Sequence, residues 1–283
     1  RDSSTSRGLG DVYKRHEQRC EQKNLFAVDK RDFPSAFSVT NLWLKNEIVA
    51  WLKEPAAVLL NMAYPLLMMV FLFVIGGASV RNSADISSPA VALLALTGVL
   101  MVGINLPANG INHVRGSDYY YYLRTLPTGV GTRLVAWSGA PFLLAILSAL
   151  IGIGVGAAAS AAHFSGSQIG LLLLVFCVFG LCTTAIGVCF GFTLSSRTSL
   201  AVSLGVSFIF LLLSEARELT DLPQVLDYIA KILPSTAAIE LCHSILDSTQ
   251  ANGWWIASLC IWVVVAILGA VAAIKHDENS KFS

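Results

Sequence analysis

The 283 residues are far more apolar than those of an ordinary soluble domain. Hydrophobic residues make up 55%, charged residues 13%, and the mean hydropathy is +0.66, whereas roughly a quarter of the residues in soluble proteins are charged. This composition excludes a soluble globular protein and predicts an all-α polytopic membrane protein, in which the net charge of +1 matters less than where Lys and Arg lie.

The chain begins with a hydrophilic segment. Residues 1–38 are rich in Ser, Arg, Lys, Glu and Gln, and such a composition buries too little apolar surface to offset the entropy lost on folding. We expect a mobile cytoplasmic tail, with the first membrane span acting as the targeting signal because no signal-peptide pattern is visible.

Residues 39–54 place apolar residues at helical spacing, with Trp43 and Trp51 near lysines. This pattern predicts an interfacial connecting helix in the headgroup layer; a cytosolic helix packed on a partner is the alternative.

Six uncharged apolar segments follow within residues 55–275, the predicted transmembrane domain. About 20 helical residues cross a bilayer core of about 30 Å. The predicted spans are residues 56–77, 89–112, 134–162, 169–194, 198–214 and 254–274. The third and fourth are rich in small residues, with Gly187 and Gly191 at GxxxG spacing. Such faces allow close helix packing, either within one subunit or across a dimer.

The most polar interruption between these spans is the loop at residues 113–133. It combines four consecutive tyrosines with Arg115, Asp118, Arg124 and Arg133. One interpretation is a positively charged topology anchor with an aromatic belt. The other is a short helix outside the membrane that transmits force from a soluble partner.

A second polar stretch separates the fifth and sixth spans. Between residues 215 and 247, six acidic residues accompany only Arg217 and Lys231. Apolar residues recur there at helical spacing, which predicts two short amphipathic helices over residues 222–246, at the outer membrane face. Residues 276–283 are expected to form a short cytoplasmic C-terminal tail.

The distribution of Lys and Arg orients the predicted spans. With the N-terminus inside, ten of these residues before the first span, three in the loop at 113–133, Arg197 and two near the C-terminus lie on the inner side, against three on the outer side. Cytoplasmic segments carry such an excess. We therefore expect a multi-pass protein of the cytoplasmic membrane with both termini and the loop on the cytoplasmic side.

Missing motifs argue against several function classes. The predicted spans contain no Asp, Glu, Lys or Arg, the residues with which proton-coupled carriers usually bind their ion. The sequence has no GxxxxGKS/T nucleotide loop and no HExxH zinc motif, and its six cysteines show no CxxC spacing. We therefore expect no enzyme activity, no catalytic residue, no metal site and no cofactor in this chain, and no nucleic-acid partner.

Three segments together resemble a known family. They are the basic amphipathic helix before the first span, the sequence RGSDYYYYLRTLPT at residues 115–128 after the second span, and LPQVLDYIAKILPST at residues 222–236 before the last. Over residues 39–274 the chain is similar to the type-2 ABC transporter permeases, which include drug-exporter permeases of the daunorubicin type.

This resemblance implies a permease subunit of an ATP-driven exporter. Two cytosolic ATP-binding subunits would hold ATP and Mg, and a second permease subunit, identical or paralogous, would complete the dimer within the membrane lipid. The uncharged spans favour a hydrophobic or amphipathic substrate, such as a drug-like molecule, a lipid or a lipid-linked glycan. The alternative is a non-transporting membrane anchor or regulatory subunit that docks a cytosolic partner.

The resemblance also assigns site residues. The ATPase-coupling residues would be Arg115, Gly116, Ser117, Asp118, Tyr119, Tyr120, Tyr121, Tyr122, Leu123 and Arg124. A substrate pathway between the second and fifth spans would be lined by Asn105, Asn109, Asn112, Thr198, Ser199, Ser203 and Ser207. The outer gate would include Leu222, Pro223, Tyr228 and Pro234. For the pathway residues, hydrogen bonding between helices is the alternative role.

Overall fold

The computed structural model describes residues 36–53, 55–118, 120, 129–219 and 223–280. The chain divides into two compact units, Arg1–Val39 and Thr40–Ser283. Of the first unit only residues 36–39 are described, as the beginning of a helix. The predicted tail at residues 1–38 therefore lies almost entirely outside the described residues.

The described residues form α-helices, and no β-strand occurs among them. The helices are α1 (Ala36–Lys53), α2 (Pro55–Ile75), α3 (Gly77–Asn82), α4 (Ala84–Arg115), α5 (Val130–Ala159), α6 (Gly166–Thr193), α7 (Ser196–Leu219), α8 (Gln224–Ile232), α9 (Pro234–Leu246) and α10 (Gly253–Ser280). The predicted all-α class is confirmed.

Five helices, α4, α5, α6, α7 and α10, are long and apolar enough to cross a membrane. Helix α2 has 21 residues without a formal charge, and its part Pro65–Ile75 is a shorter apolar helix. Helices α8 and α9 are jointly apolar enough, but they are bent by 78° at their junction. Because about 20 apolar helical residues suffice for one crossing, the chain is a multi-pass membrane protein.

The second span is longer than predicted. The sequence predicted residues 89–112, whereas α4 covers Ala84–Arg115. The preceding link forms the six-residue helix α3, and the carbonyl of Arg81 accepts a hydrogen bond from the Ala161 N–H at 2.7 Å. The link is thereby tied to the connection between α5 and α6.

Helix α4 is the centre of the bundle and packs against α2, α5, α6, α7 and α9. Its residues Ile104 and Ile111 are fully buried, as is Phe176 of α6. A Cβ at Gly187 of α6 would lie 2.5 Å from the Ile104 carbonyl oxygen, and one at Gly191 would lie 2.8 Å from Ile111 Cβ. Of the two alternatives for this GxxxG face, the structure therefore places it in packing within the subunit.

The connections between the helices lie at two opposite ends of the bundle. The loop after α4, the α6–α7 turn at residues 194–195 and the last turn of α10 meet at one end, where the Arg115 side chain contacts the other two. We call this the loop end. The opposite end carries α8, α9 and the α5–α6 connection, where the Gln168 side chain donates to the Leu246 carbonyl at 3.2 Å.

Helix α1 lies along the bundle from Thr40 onward. Trp43 is half-buried against the cluster that includes Trp137 of α5, and the Thr40 hydroxyl lies 3.4 Å from the Thr132 hydroxyl. Its other side remains uncovered, since Leu42 is 58% exposed. An amphipathic helix with one uncovered apolar side suits the headgroup layer, and the interfacial position stays a prediction.

Candidate functional site

The start of the predicted coupling loop is a bend directly after α4. Gly116 ends the helix, and its N–H donates to the carbonyl of His113 at 3.3 Å. The N–H and the hydroxyl of Ser117 both donate to the carbonyl of Val114, at 2.9 and 2.7 Å. Beyond the bend, Asp118 and Tyr120 have helical backbone, and the Asp118 side chain is exposed. The chain thus turns out of α4 within two residues and presents a carboxylate at its surface.

Arg115, the last residue of α4, joins three helices at the loop end. Its Nη2 donates to Asp277 Oδ1 of α10 at 2.6 Å. Its Nη1 donates to the carbonyl of Gly191 at 2.9 Å and to that of Leu194 at 3.4 Å, which are among the last carbonyls of α6 and its cap. The guanidinium also lies 5.8 Å from the centre of the Phe192 ring. Helix C-termini leave carbonyls without intrahelical partners, and a cation there is stabilising.

Tyr120 is held below the surface of the loop. It is only 4% exposed and packs in a cluster that includes Ile111, Trp137 and Ile274. Its hydroxyl donates to the other carboxylate oxygen of Asp277, Oδ2. A buried tyrosine hydroxyl normally has such a partner, and here the partner is the same carboxylate that binds Arg115.

The end of the loop is tied to the same turn of α10. Arg133, in the first turn of α5, donates to Glu278 Oε1 at 2.8 Å. The two neighbouring acidic residues of α10, Asp277 and Glu278, therefore hold Arg115 and Arg133 at the two ends of the loop.

Among the predicted coupling residues, the side chains of Arg115, Ser117 and Tyr120 form hydrogen bonds with other groups of the chain, and Asp118 is exposed. Gly116 forms the bend, and the remaining predicted residues, Tyr119, Tyr121, Tyr122, Leu123 and Arg124, lie outside the described residues. The contact of these residues with a partner subunit stays a prediction.

Asp277 and Glu278 were not among the predicted site residues, because they fall within the predicted C-terminal tail at residues 276–283. In the structure, α10 continues to Ser280 and includes both. The available signal was a pair of acidic residues that follows Lys275 and His276 just after the last apolar span, on the side where basic residues otherwise predominate. Asp277 is 2% exposed, and a buried carboxylate requires paired or hydrogen-bonding partners.

The predicted substrate pathway is a closed interface between α4 and α7 within one subunit. Asn105 Nδ2 donates to the Met101 carbonyl at 2.9 Å and approaches the Ser207 hydroxyl at 3.5 Å. The Ser199 hydroxyl donates across the interface to the Ala108 carbonyl at 3.1 Å. Asn105 Oδ1 is buried and has no hydrogen-bond partner among the described residues.

The other predicted pathway residues mostly bond within their own helices. The side-chain amides of Asn109 and Asn112 donate one turn back, to the carbonyls of Asn105 and Ala108. The hydroxyls of Ser203 and Ser207 do the same on α7, whereas Thr198 is exposed at the first turn of that helix. Thr198 apart, these uncharged polar groups form a stripe along the α4–α7 contact.

The opposite end is held by Arg217 at the end of α7. Its Nη1 donates to Glu240 of α9 at 2.6 Å, its Nε lies 3.3 Å from Asp227 of α8, and its guanidinium lies 5.4 Å from the centre of the Trp255 ring. Lys231 also donates to Asp227 at 2.6 Å. This hydrogen bond, with the positive charges of Lys231 and Arg217, lowers the pKa of Asp227.

Helix α8 turns its polar side toward Arg217 and its apolar side away from the bundle. Val225, Ile229 and Ile232 are exposed, and so is Tyr228 of the predicted gate. Pro223 is exposed, Pro234 is buried at the start of α9, and Leu222 lies outside the described residues. The exposed apolar side is suited to lipid or to another apolar protein surface.

A lateral pocket of about 570 Å³ lies between α6, α9 and α10 at the opposite end. Hydroxyl and amide groups of Ser167, Gln168 and Ser244 lie on its lining, and Leu174 and Leu259 are among its apolar lining residues. None of the predicted pathway residues lines it.

Comparison with known proteins identifies one family. The model of the ABC-2 family transporter proteins matches residues 79–274, which covers α4 to most of α10 and leaves α1 and α2 outside the match. No curated protein matches the chain significantly.

Proposed function

Because the chain belongs to the ABC-2 transporter family, whose members are transmembrane subunits of ABC transporters, we propose that it is the permease of an ATP-driven exporter. The observation that carries the proposal is the loop after α4. Its Asp118 is exposed, and Arg115, where the loop leaves α4, is bonded to α6 and α10. A loop attached firmly to several spans can convert a push from a bound subunit into motion of those spans.

Energy would come from separate chains. Members of this family work with ATP-binding subunits, and this sequence has no GxxxxGKS/T loop of its own. We propose that two such subunits, which hold ATP and Mg, dock against the loop end around Asp118. A second permease subunit, identical or paralogous, would complete the complex.

The proposed orientation places the loop end in the cytoplasm. Arg115, Arg133, Arg197 and Lys275 lie at this end of the bundle, and cytoplasmic segments are enriched in such residues. The opposite end, with α8 and α9, would then face outward and act as the gate. The exposed apolar side of α8 would contact lipid or the second permease subunit.

The proposed substrate is hydrophobic or amphipathic, as for drug exporters of the daunorubicin type, lipid exporters or exporters of lipid-linked glycans. Support comes from the α4–α7 stripe, whose polar groups are amides and hydroxyls without formal charge. Opening of this interface would expose Asn105, whose Oδ1 lacks a partner in the closed arrangement among the described residues. Such a surface can bind an uncharged polar group while leaving apolar walls on either side.

Co-purification tests the proposal. The full chain with an affinity tag, expressed in its source cells, is expected to retain an ATP-binding protein that hydrolyses ATP. Asp118→Ala should reduce the retained amount by about tenfold, the change that loss of one charge-assisted contact gives. Asp85→Ala, an exposed acidic residue at the opposite end, is the matched control and should behave as the wild type.

Two outcomes would contradict the exporter proposal. If no ATP-binding protein is retained by the wild-type chain, the loop has another role. If an ATP-binding protein is retained but membrane vesicles with the complex move no amphipathic dye in response to ATP, the chain is a non-transporting anchor for the partner.

A further inference from the structure

We propose that the last turn of α10 is a clamp on the coupling loop, with Asp277 as the positioning residue. The clamp consists of Asp277 and Glu278 on α10 with their partners Arg115, Tyr120 and Arg133. The inference rests on the proposed function, because it concerns the loop at which ATP-binding subunits are proposed to dock.

The first element of the clamp is the division of one carboxylate between the two sides of a bend. Asp277 Oδ1 accepts from Arg115, which precedes the bend at Gly116, and Oδ2 accepts from Tyr120, which follows it. Since a carboxylate is rigid and both of its oxygens are occupied, it fixes the direction of the chain beyond the bend relative to α4. Hydrogen bonds to ionised groups are the stronger ones and give the most geometric constraint.

The second element is the neighbouring residue. Glu278 accepts from Arg133 in the first turn of α5, at 2.8 Å. Consecutive residues of α10 therefore hold both the start and the end of the loop. A displacement of the loop is consequently delivered to α10 as well as to α4 and α5, the two spans to which the loop is covalently joined.

Burial separates the clamp from the docking surface. Asp277 is 2% exposed and Tyr120 is 4% exposed, whereas Asp118, between Arg115 and Tyr120 in the loop, is exposed. A docked subunit can reach Asp118 directly, but it can sense Asp277 only through the position of the loop. Asp277 therefore acts as a positioning residue, and its variants should alter the effect of docking more than docking itself.

Hydrogen–deuterium exchange of the full chain in lipid nanodiscs tests the clamp without any partner or cargo. In Asp277→Asn and in Tyr120→Phe, the amides of the peptide that covers residues 113–120 should exchange about tenfold faster, the change expected for one lost hydrogen bond to a charged group. Asp85→Asn is the matched control: it removes the same charge from an exposed residue at the opposite end of α4, and exchange of this peptide should stay as in the wild type.

The double variant Tyr120→Phe with Asp277→Asn shows whether the residues act as one unit. Its exchange should be no faster than that of the faster single variant, because contacting partners are not additive. Wild-type exchange in both single variants would overturn the clamp, and so would two effects that multiply. Should Asp277→Asn fail to fold, Tyr120→Phe removes only one hydroxyl and still decides the question.

ATP hydrolysis tests the role of the clamp in coupling. In the complex with its co-purified ATP-binding subunits, Asp277→Asn should retain those subunits at the wild-type level but change the hydrolysis rate by about tenfold. Unchanged hydrolysis in a variant whose loop exchanges faster would overturn the coupling role. Failure of the wild-type chain to retain any ATP-binding subunit would refute the proposed function, while the exchange result would still decide the clamp.

Discussion

The indole ring of Trp51 on α1 lies in a notch that Gly110 leaves on α4. A Cβ at Gly110 would be 2.7 Å from Cζ2 and 3.0 Å from Cη2 of this ring. Only glycine allows this approach without movement of the ring, so the seat of α1 on the central span depends on a single missing methyl group. Both residues lie near the loop end.

Gly110→Val should therefore unseat α1. The branched side chain meets the Trp51 ring, and overpacking of this kind typically costs about 1 to 3 kcal/mol. Amide exchange in α1 is expected to rise, and the thermal unfolding temperature to fall. Gly154→Val is the matched control on α5, since a Cβ there meets nothing within 4 Å; equal effects of the two variants would show that the notch is not what seats α1.

The seat of α1 should also depend on pH through Glu47. Burial raises the pKa of this carboxyl from 4.5 to about 7. The folded-state pKa lies above that of an exposed glutamate, so the seated helix binds the proton more tightly. Its stability should decrease as the pH rises from about 4.5 to about 7 and stay constant at higher pH.

Amide exchange of α1 measured between pH 5 and pH 8, after correction for the intrinsic exchange rate, checks this prediction. Glu47→Gln has no ionisable group and should abolish the pH dependence. A pH dependence that persists in Glu47→Gln would assign it to another group.

Arg217 should set the stability of the opposite end. It contacts Asp227 of α8, Glu240 of α9 and Trp255 of α10, so its side chain links α7 to three other helices. Because the ion pairs are partly exposed, we expect Arg217→Gln to cost only about 1 kcal/mol. The variant should show faster amide exchange in α8, and in the wild type that exchange should increase with salt, which screens such pairs.

Arg217→Lys is the informative companion variant. It keeps the charge but loses the planar fork that binds two carboxylates and stacks on the Trp255 ring. Lysine that fully restores wild-type exchange would mean that only net charge matters at this end.

The approximate positions of the last five predicted spans, each of which overlaps a helix long and apolar enough to cross a membrane, could be predicted because they follow from composition alone. An uncharged segment as long as residues 169–194 suits a membrane-spanning helix, whereas the strands of a membrane barrel are only about 9 to 11 residues long; α6 covers Gly166–Thr193. The short helix α8 was also predictable, from apolar residues at helical spacing between two prolines. The sequence could not reveal which side of α8 faces the bundle, because Arg217, which attracts its polar side, lies on another helix.

The contacts of the loop could not be predicted for a similar reason. Arg115 was recognised as part of the loop, but its partner Asp277 is 162 residues away in the sequence. Hydropathy locates the spans but does not show which span ends lie together. The family resemblance assigned Tyr120 and Asp118 alike to the coupling residues. The structure buries the Tyr120 ring among α4, α5 and α10, and only this packing distinguishes it from the exposed Asp118.

Site-specific photo-crosslinking from position 118 tests the central claim most directly. A photoreactive residue there, in the full chain in its source membrane, should form a covalent adduct with an ATP-binding protein, and the adduct should change in yield when ATP is added. The same residue at Gln224, exposed on α8 at the opposite end, should form none. An adduct with no ATP-binding protein at position 118, or equal adducts at both positions, would contradict the account of this loop as the site at which ATP-binding subunits drive the permease.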